Sequence, residues 1–257
     1  MKKLVVWLML AVMLCAVISG GCGGGSDSSS PEQTESLNDD TGSYDPNEEA
    51  RGNSDRVRYL STLTEPYTAH DGEILTGTLG SRVLLQVADG ATITLRNATI
   101  YVQKLNNGQF VGLSFEGDAT LILEGTNYVQ SFHHDFPAIR VPADHTLTIK
   151  GIGKLTAYAV STNSAGIGGG YKLPCGNIVI EGGTIIAHGG SSGAGIGGGY
   201  YGKCGKITIK DTVTKVTATK GIYAQHSIGA GKESTCGKVM IGGKYGAIST
   251  SPYTYQP

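Results

Sequence analysis

Apolar residues recur two apart in six short bursts along this chain, reading ITL, LIL, LTI, IVI, ITI and VMI. The bursts close at Leu95, Leu123, Ile149, Ile180, Ile209 and Ile241, so successive intervals are 28, 26, 31, 29 and 32 residues. Alternation with a period of two marks a half-buried strand. A second alternating piece follows most bursts, as NATI, KLTA, TIIA or KVTA, after a turn such as EG, KG or GG. A third piece lies around Leu113, Ile139, Ile167, Ile196 and Ile228. Three short strands and three bends per 26 to 32 residues predict stacked units that bury their apolar faces against one another.

The expected fold is therefore all-β, a single-stranded right-handed parallel β-helix of six to seven coils. Six coils are clear, and a partial one covers Val83 to Val87. The hand follows from the strong bias of parallel crossovers. Two-helix repeats of this length are excluded, because they need long stretches of period 3.6, and these units carry Gly every few residues with much Thr, Ile and Val. One phrase comes twice, AGIGGGYKLPCGNIVIEGGTIIAH over 165–188 and AGIGGGYYGKCGKITIKDTVTKVTA over 194–218, with a weaker echo over 227–250. After the last coil the chain ends on SPYTYQP, and Pro252 and Pro257 are the only protection expected for that open edge.

Composition refines this picture. Forty glycines in 257 residues exceed the usual share of about 7 %. They show no Gly-X-Y period and fall between strands, where bends require them. Lys2 and Lys3 precede the apolar run Leu4 to Ile18, which reads as a secretory signal peptide. Cys22 follows small residues and leads into GGGSDSSS, which resembles a bacterial lipoprotein acylation site, although Ser19 stands where that pattern prefers Leu. The domains expected are thus 1–22, a lipoprotein-type signal peptide; 23–55, an acidic Gly/Ser linker without fixed structure; and 56–257, the β-helix. Acids outnumber bases nine to one over 26–55, which suits a solvated stalk. From Arg56 onward 17 Lys and Arg face 12 Asp and Glu, too weak a surplus to argue for nucleic acid.

Four groups of residues could carry chemistry. Cys175, Cys204 and Cys236 share one place, five residues before the end of their anchor triplets, and Asp118 and Asp144 hold that place in two earlier coils. Equivalent positions in a solenoid stack about 4.8 Å apart, so a structural column of Asp, Asp, Cys, Cys, Cys is expected. The thiols could form a buried ladder, one disulfide between neighbours, or a metal site. Asp118 and Asp144 could cap turns or hold a cation, calcium being the natural choice for carboxylates. His133, His134 and Asp135 form a polar loop that could orient a base or bind metal. Tyr171, Tyr200 and Tyr201 directly follow the GGG runs and should lie on one ridge, either packed over their turns or offering faces to sugar rings. The GIGGG phrase lacks the GK[ST] ending and following helix of a phosphate loop. No paired catalytic aspartates of the polygalacturonase kind are visible, so no catalytic residue is assigned.

The run GDATLILEGTNYV, PAIRVPADHTLTIKGIGKLTA, AGIGGG and CGNIVIEGGTIIAHGG resembles β-helical repeats of secreted and surface proteins of anaerobic bacteria, of the carbohydrate-binding-domain-containing, adhesin-like type. The resemblance covers roughly residues 70 to 250. It implies an exported, lipid-anchored envelope protein that binds extracellular polysaccharide or surface glycan. An adhesive or structural role without a small ligand is the alternative, and a polysaccharide lyase or hydrolase is a third. A more distant likeness in style is to the calcium-dependent acidic-polysaccharide-binding β-helix of cellulolytic clostridia, whose metal ligands find no match here.

Overall fold

A computed structural model describes residues 56–80, 83–102, 111–160 and 163–257. The signal peptide, Cys22 and the linker over 23–55 lie outside the described residues. The described chain winds into a β-solenoid of stacked parallel strands, with one short 3-10 turn at Leu60–Thr62.

Each coil presents three faces. The first is built by the start of Thr92–Val102, then by Ala119–Glu124, Thr146–Gly151, Asn177–Ile180, Ile207–Ile209 and Val239–Ile241. The second takes the end of Thr92–Val102, then Thr126–Ser131, Lys154–Ala159, Thr184–His188 and Lys215–Thr219. The third takes Leu113–Phe115, Ile139–Arg140, Ile167–Gly168, Ile196–Gly197 and Ile228–Gly229. Alternation turns every second side chain inward, and the register stacks these into columns. Ile93, Leu121, Ile149, Ile180, Ile209 and Ile241 form one such column and are all buried. Each buried side chain of this kind contributes about 1.5–3 kcal/mol, so the column is a main source of cohesion along the axis.

Among the described residues five coils close through all three faces, fewer than the six to seven expected. A shorter turn precedes them: Ile74–Leu79 pairs with Thr92–Val102, and Leu85–Val87 pairs with Leu113–Phe115. The VMI burst takes its expected place on Ile207–Ile209 but does not continue the winding. Gly242 and Gly243 have φ of 53° and 76° and turn the chain back, so that Lys244–Tyr245 pairs antiparallel with Val239–Ile241. Two successive residues of positive φ are what a tight hairpin needs. Ile248 then bridges Ile228, and Tyr253–Tyr255 pairs antiparallel with Lys215–Thr219. The last complete coil is thereby covered on each of its three faces. The open edge expected from SPYTYQP is instead a cap that the tail itself supplies.

One register also differs. Leu123 pairs with Gly151 and Leu121 with Ile149, whereas the bursts alone align Leu123 with Ile149. A two-residue slip keeps every side chain on its own face, so alternation cannot detect it. Gly151, at φ 103°, permits the slip by letting the backbone approach Leu123 closely.

Candidate functional site

The tyrosine ridge is built on glycine. Gly168, Gly197 and Gly229 stack in register on the third face with φ of 134°, 133° and 135°. A Cβ on Gly168 would land on the carbonyl oxygen of Gly197, and one on Gly197 on that of Gly229. The chain can therefore fold back at once: the Ala165 N–H donates to Gly169 O at 2.9 Å, and the Ala194 N–H to Gly198 O at 3.0 Å. The repeated GIGGG phrase is thus a turn device. It places Tyr171, Tyr200 and Lys232 at one level, followed by Lys172, Tyr201 and Glu233 at the next. The Lys172 N–H donates to Tyr200 O at 2.8 Å, and the Tyr201 N–H to Lys232 O at 3.1 Å, which fixes this stacking. Lys172, Tyr201 and Glu233 have φ of 54°, 57° and 47°. Side chains in that region cost about 1–2 kcal/mol each, and such strain concentrates at functional surfaces.

The three tyrosines meet as expected. Tyr200 and Tyr201 stack with centroids 4.1 Å apart, and Tyr171 lies 5.6 Å from Tyr200 and 6.3 Å from Tyr201. Tyr201 is 46 % exposed, and the other two are partly so. A hydrogen bond to the Glu233 carboxylate, and a second with Tyr200, push the Tyr201 hydroxyl pKa well up, so it stays a donor. Lys172 Nζ lies 5.1 Å from the Tyr171 centroid, and Lys232 Nζ lies between the rings of Tyr200 and Tyr223 at 5.0 and 5.5 Å. Continuing the repeat from GIGGGYY to SIGAGKE would have found Lys232 and Glu233. Tyr223 belongs to a loop without a counterpart in the repeated phrase, so no sequence signal marked it. Exposed Lys203, Lys206 and Lys238 extend the cationic character of this side.

The expected Asp–Asp–Cys column loses its first member, while the register carries Asp144 onto the place of Cys175. Because of the register slip, Asp118 and Asp144 do not stack. Asp118 Oδ1 instead accepts the Thr146 N–H at 2.7 Å and lies 3.4 Å from His145 Nδ1. This is one step of a staircase in which Asp89 Oδ1 accepts the Asp118 N–H at 2.8 Å and Asn177 Oδ1 the Lys206 N–H at 2.9 Å. Asp144, at φ 64°, is exposed on the rim of a groove of about 480 Å³ shared with Cys175, Lys203 and Cys204. Among the described residues no three His, Cys, Asp or Glu side chains gather closely enough to hold a metal ion.

The cysteines do stack. Cys175 is bridged in parallel to Cys204, and Cys204 is in register with Cys236. All three are free thiols, with Cys175 Sγ 2.8 Å from Cys204 Sγ. Hydrogen bonding with Cys175 and then Cys236, together with burial, raises the Cys204 pKa strongly. The hydrogen bond from Cys204 lowers that of Cys236.

The histidine loop shapes the ridge from the side. His133 Nδ1 accepts the Asp135 N–H at 3.1 Å, while Asp135 O accepts the Tyr171 N–H at 3.0 Å and Asp135 Oδ1 takes Asn163 Nδ2 at 3.1 Å. Asp135 is thus engaged in positioning Tyr171.

The chain matches no family model, no curated protein and no solved structure with which it was compared. The class defined by the fold is a β-solenoid with a tyrosine–lysine ridge along one bend, and its function has to be argued from that ridge.

Proposed function

We propose that this chain is an exported, lipid-anchored surface protein that binds extracellular polysaccharide across the tyrosine ridge. The observation that carries the reading is the convergence of Tyr171, Tyr200 and Tyr201 from adjacent coils onto one partly exposed surface. Aromatic faces present apolar area with a polar rim, suited to the C–H faces and hydroxyls of sugars. The basic lead Lys2–Lys3, the apolar run after it and Cys22 support export and anchoring. Calcium is not required by this reading.

A second reading, an adhesive or structural surface protein without a small ligand, draws on the Tyr200–Tyr201 stack, which already covers one face of each ring. A lyase or hydrolase would draw on Asp118 and Asp144, but the former accepts the Thr146 N–H and the slip takes the two out of register.

The test is retention on a panel of plant, bacterial and host polysaccharides, with calcium and with chelator. The variant Tyr171→Ala, Tyr200→Ala, Tyr201→Asn uses Asn where φ is positive. Removing three stacking rings should weaken retention at least tenfold, about 1.4 kcal/mol, with an unchanged urea midpoint. Retention equal to that of the unsubstituted protein would remove the ridge from consideration, and a blank panel in both buffers would favour the adhesive reading.

A further inference from the structure

We propose that the three stacked cysteines form a thiol relay, in which a small-molecule disulfide reacts at Cys236 and the oxidation comes to rest as a buried Cys175–Cys204 disulfide.

Access is the first argument. Cys175 and Cys204 border the groove beside Asp144 but are only 4 % and 7 % exposed, whereas Cys236 is partly buried, so Cys236 is the most accessible of the three thiols. Alignment is the second. The three residues follow one another in parallel register, which sets neighbouring Cα atoms roughly 4.8 Å apart. That lies inside the range of roughly 4.4–6.8 Å that a disulfide spans. Cys175 Sγ already lies 2.8 Å from Cys204 Sγ, and the register places Cys236 next along the same direction, as displacement at sulfur requires. Charge is the third. Cys204 stabilises the Cys236 thiolate by hydrogen bonding, and exposed Lys206 and Lys238 flank the column and favour an anionic disulfide such as oxidised glutathione.

The steps balance. The Cys236 thiolate attacks one sulfur of oxidised glutathione, the S–S bond breaks, and one glutathione thiolate leaves. Cys204 gives up its proton and attacks the Cys236 sulfur, displacing the second glutathione thiolate and forming a Cys204–Cys236 bond. Cys175 gives up its proton and attacks Cys204, which releases the Cys236 thiolate. In sum Cys175 and Cys204 lose two electrons and two protons, one oxidised glutathione becomes two reduced molecules, and Cys236 is restored. The released protons are those taken up by the leaving thiolates.

Trypsin separates the three cysteines into peptides 173–203, 204–206 and 233–238, so each can be followed by mass spectrometry in the full chain. Oxidised glutathione is added, the reaction is stopped at intervals by alkylation, and the digest is read. A transient glutathione adduct on 233–238 is expected, followed by a bond between 173–203 and 204–206 with Cys236 alkylated. Cys236→Ser should slow appearance of that bond at least about tenfold, and Cys175→Ser should stop the reaction at Cys204–Cys236. Equal urea midpoints would show that neither variant disturbs the fold. A Cys236 adduct that never resolves, a final Cys204–Cys236 bond in the unsubstituted protein, or an unchanged rate in Cys236→Ser would each overturn the relay.

Discussion

The first two complete coils and the three that follow hold their bends in different ways. Early coils use side chains. Asn127 is buried, and its Oδ1 accepts the Ala98 N–H at 2.9 Å while Nδ2 donates to Glu124 O at 3.1 Å and Lys154 O at 3.2 Å, so one carboxamide ties three successive coils. Asn97 adds a bond from the Thr126 N–H at 3.0 Å, and Arg96 pairs with Glu124 at 2.6 Å. Late coils use glycine, packing backbone on backbone at Gly168 and Gly197. Where side chains make the bend, they are consumed by it. Where backbone makes it, neighbouring side chains such as Tyr171, Tyr200 and Lys232 are left to face outward, and the ridge lies at that end.

The contrast is broken most directly at glycine. Gly197→Ala should cost about 3 kcal/mol or more, because the new methyl meets a carbonyl that other coils hold in place. Gly77→Ala, at φ 80° with open space around it, should cost only about 1 kcal/mol of backbone strain. Urea midpoints measure both, and equal losses would mean that close packing is not what the late glycines provide.

Asn127→Ala comes next. It strands the Ala98 N–H in the core, and about 2–3 kcal/mol is expected from that single loss. Arg96→Ala removes a pair whose side chains are 43 % and 42 % exposed, and should cost no more than about 0.5 kcal/mol, shrinking further in salt. A larger loss at Arg96 than at Asn127 would show that surface charge, not the buried carboxamide, ties the early coils.

The smallest effect is in pH. Burial lowers the pKa of His188, which packs 5.2 Å from the Tyr158 ring, and also that of His226. Both belong to the late coils. For a base with a depressed folded pKa, the unfolded chain binds the proton first as pH falls. Stability is therefore full above the ordinary histidine value of about 6.5 and declines as pH drops through the window below it. Urea midpoints at several pH values should show this decline, reduced in His188→Gln. No decline below neutrality would remove these histidines from the account.

Much of this architecture could be read from spacing. Four of the five burst-to-burst alignments hold, because Ile or Leu must face inward in every coil. The fifth failed where a two-residue slip leaves alternation intact, and the same slip separated Asp118 from Asp144. The tail was misjudged for another reason. Its antiparallel pairing depends on a glycine hairpin after Ile241 and on two short strands too brief to carry a pattern. At the site, GIGGGY announced the tyrosines because the backbone there demands repetition. Tyr223 obeys no such demand and was invisible, although it shares Lys232 with Tyr200.

The level stacking of Tyr171, Tyr200 and Lys232 also bears on heredity. An in-frame duplication or deletion of one coil would add or remove one ridge position while each remaining coil kept the neighbour type it already packs against. Reach along the surface and the identity of each position can then vary separately, the first by changing the number of coils and the second by point substitution. Such a surface can be rewritten one rung at a time.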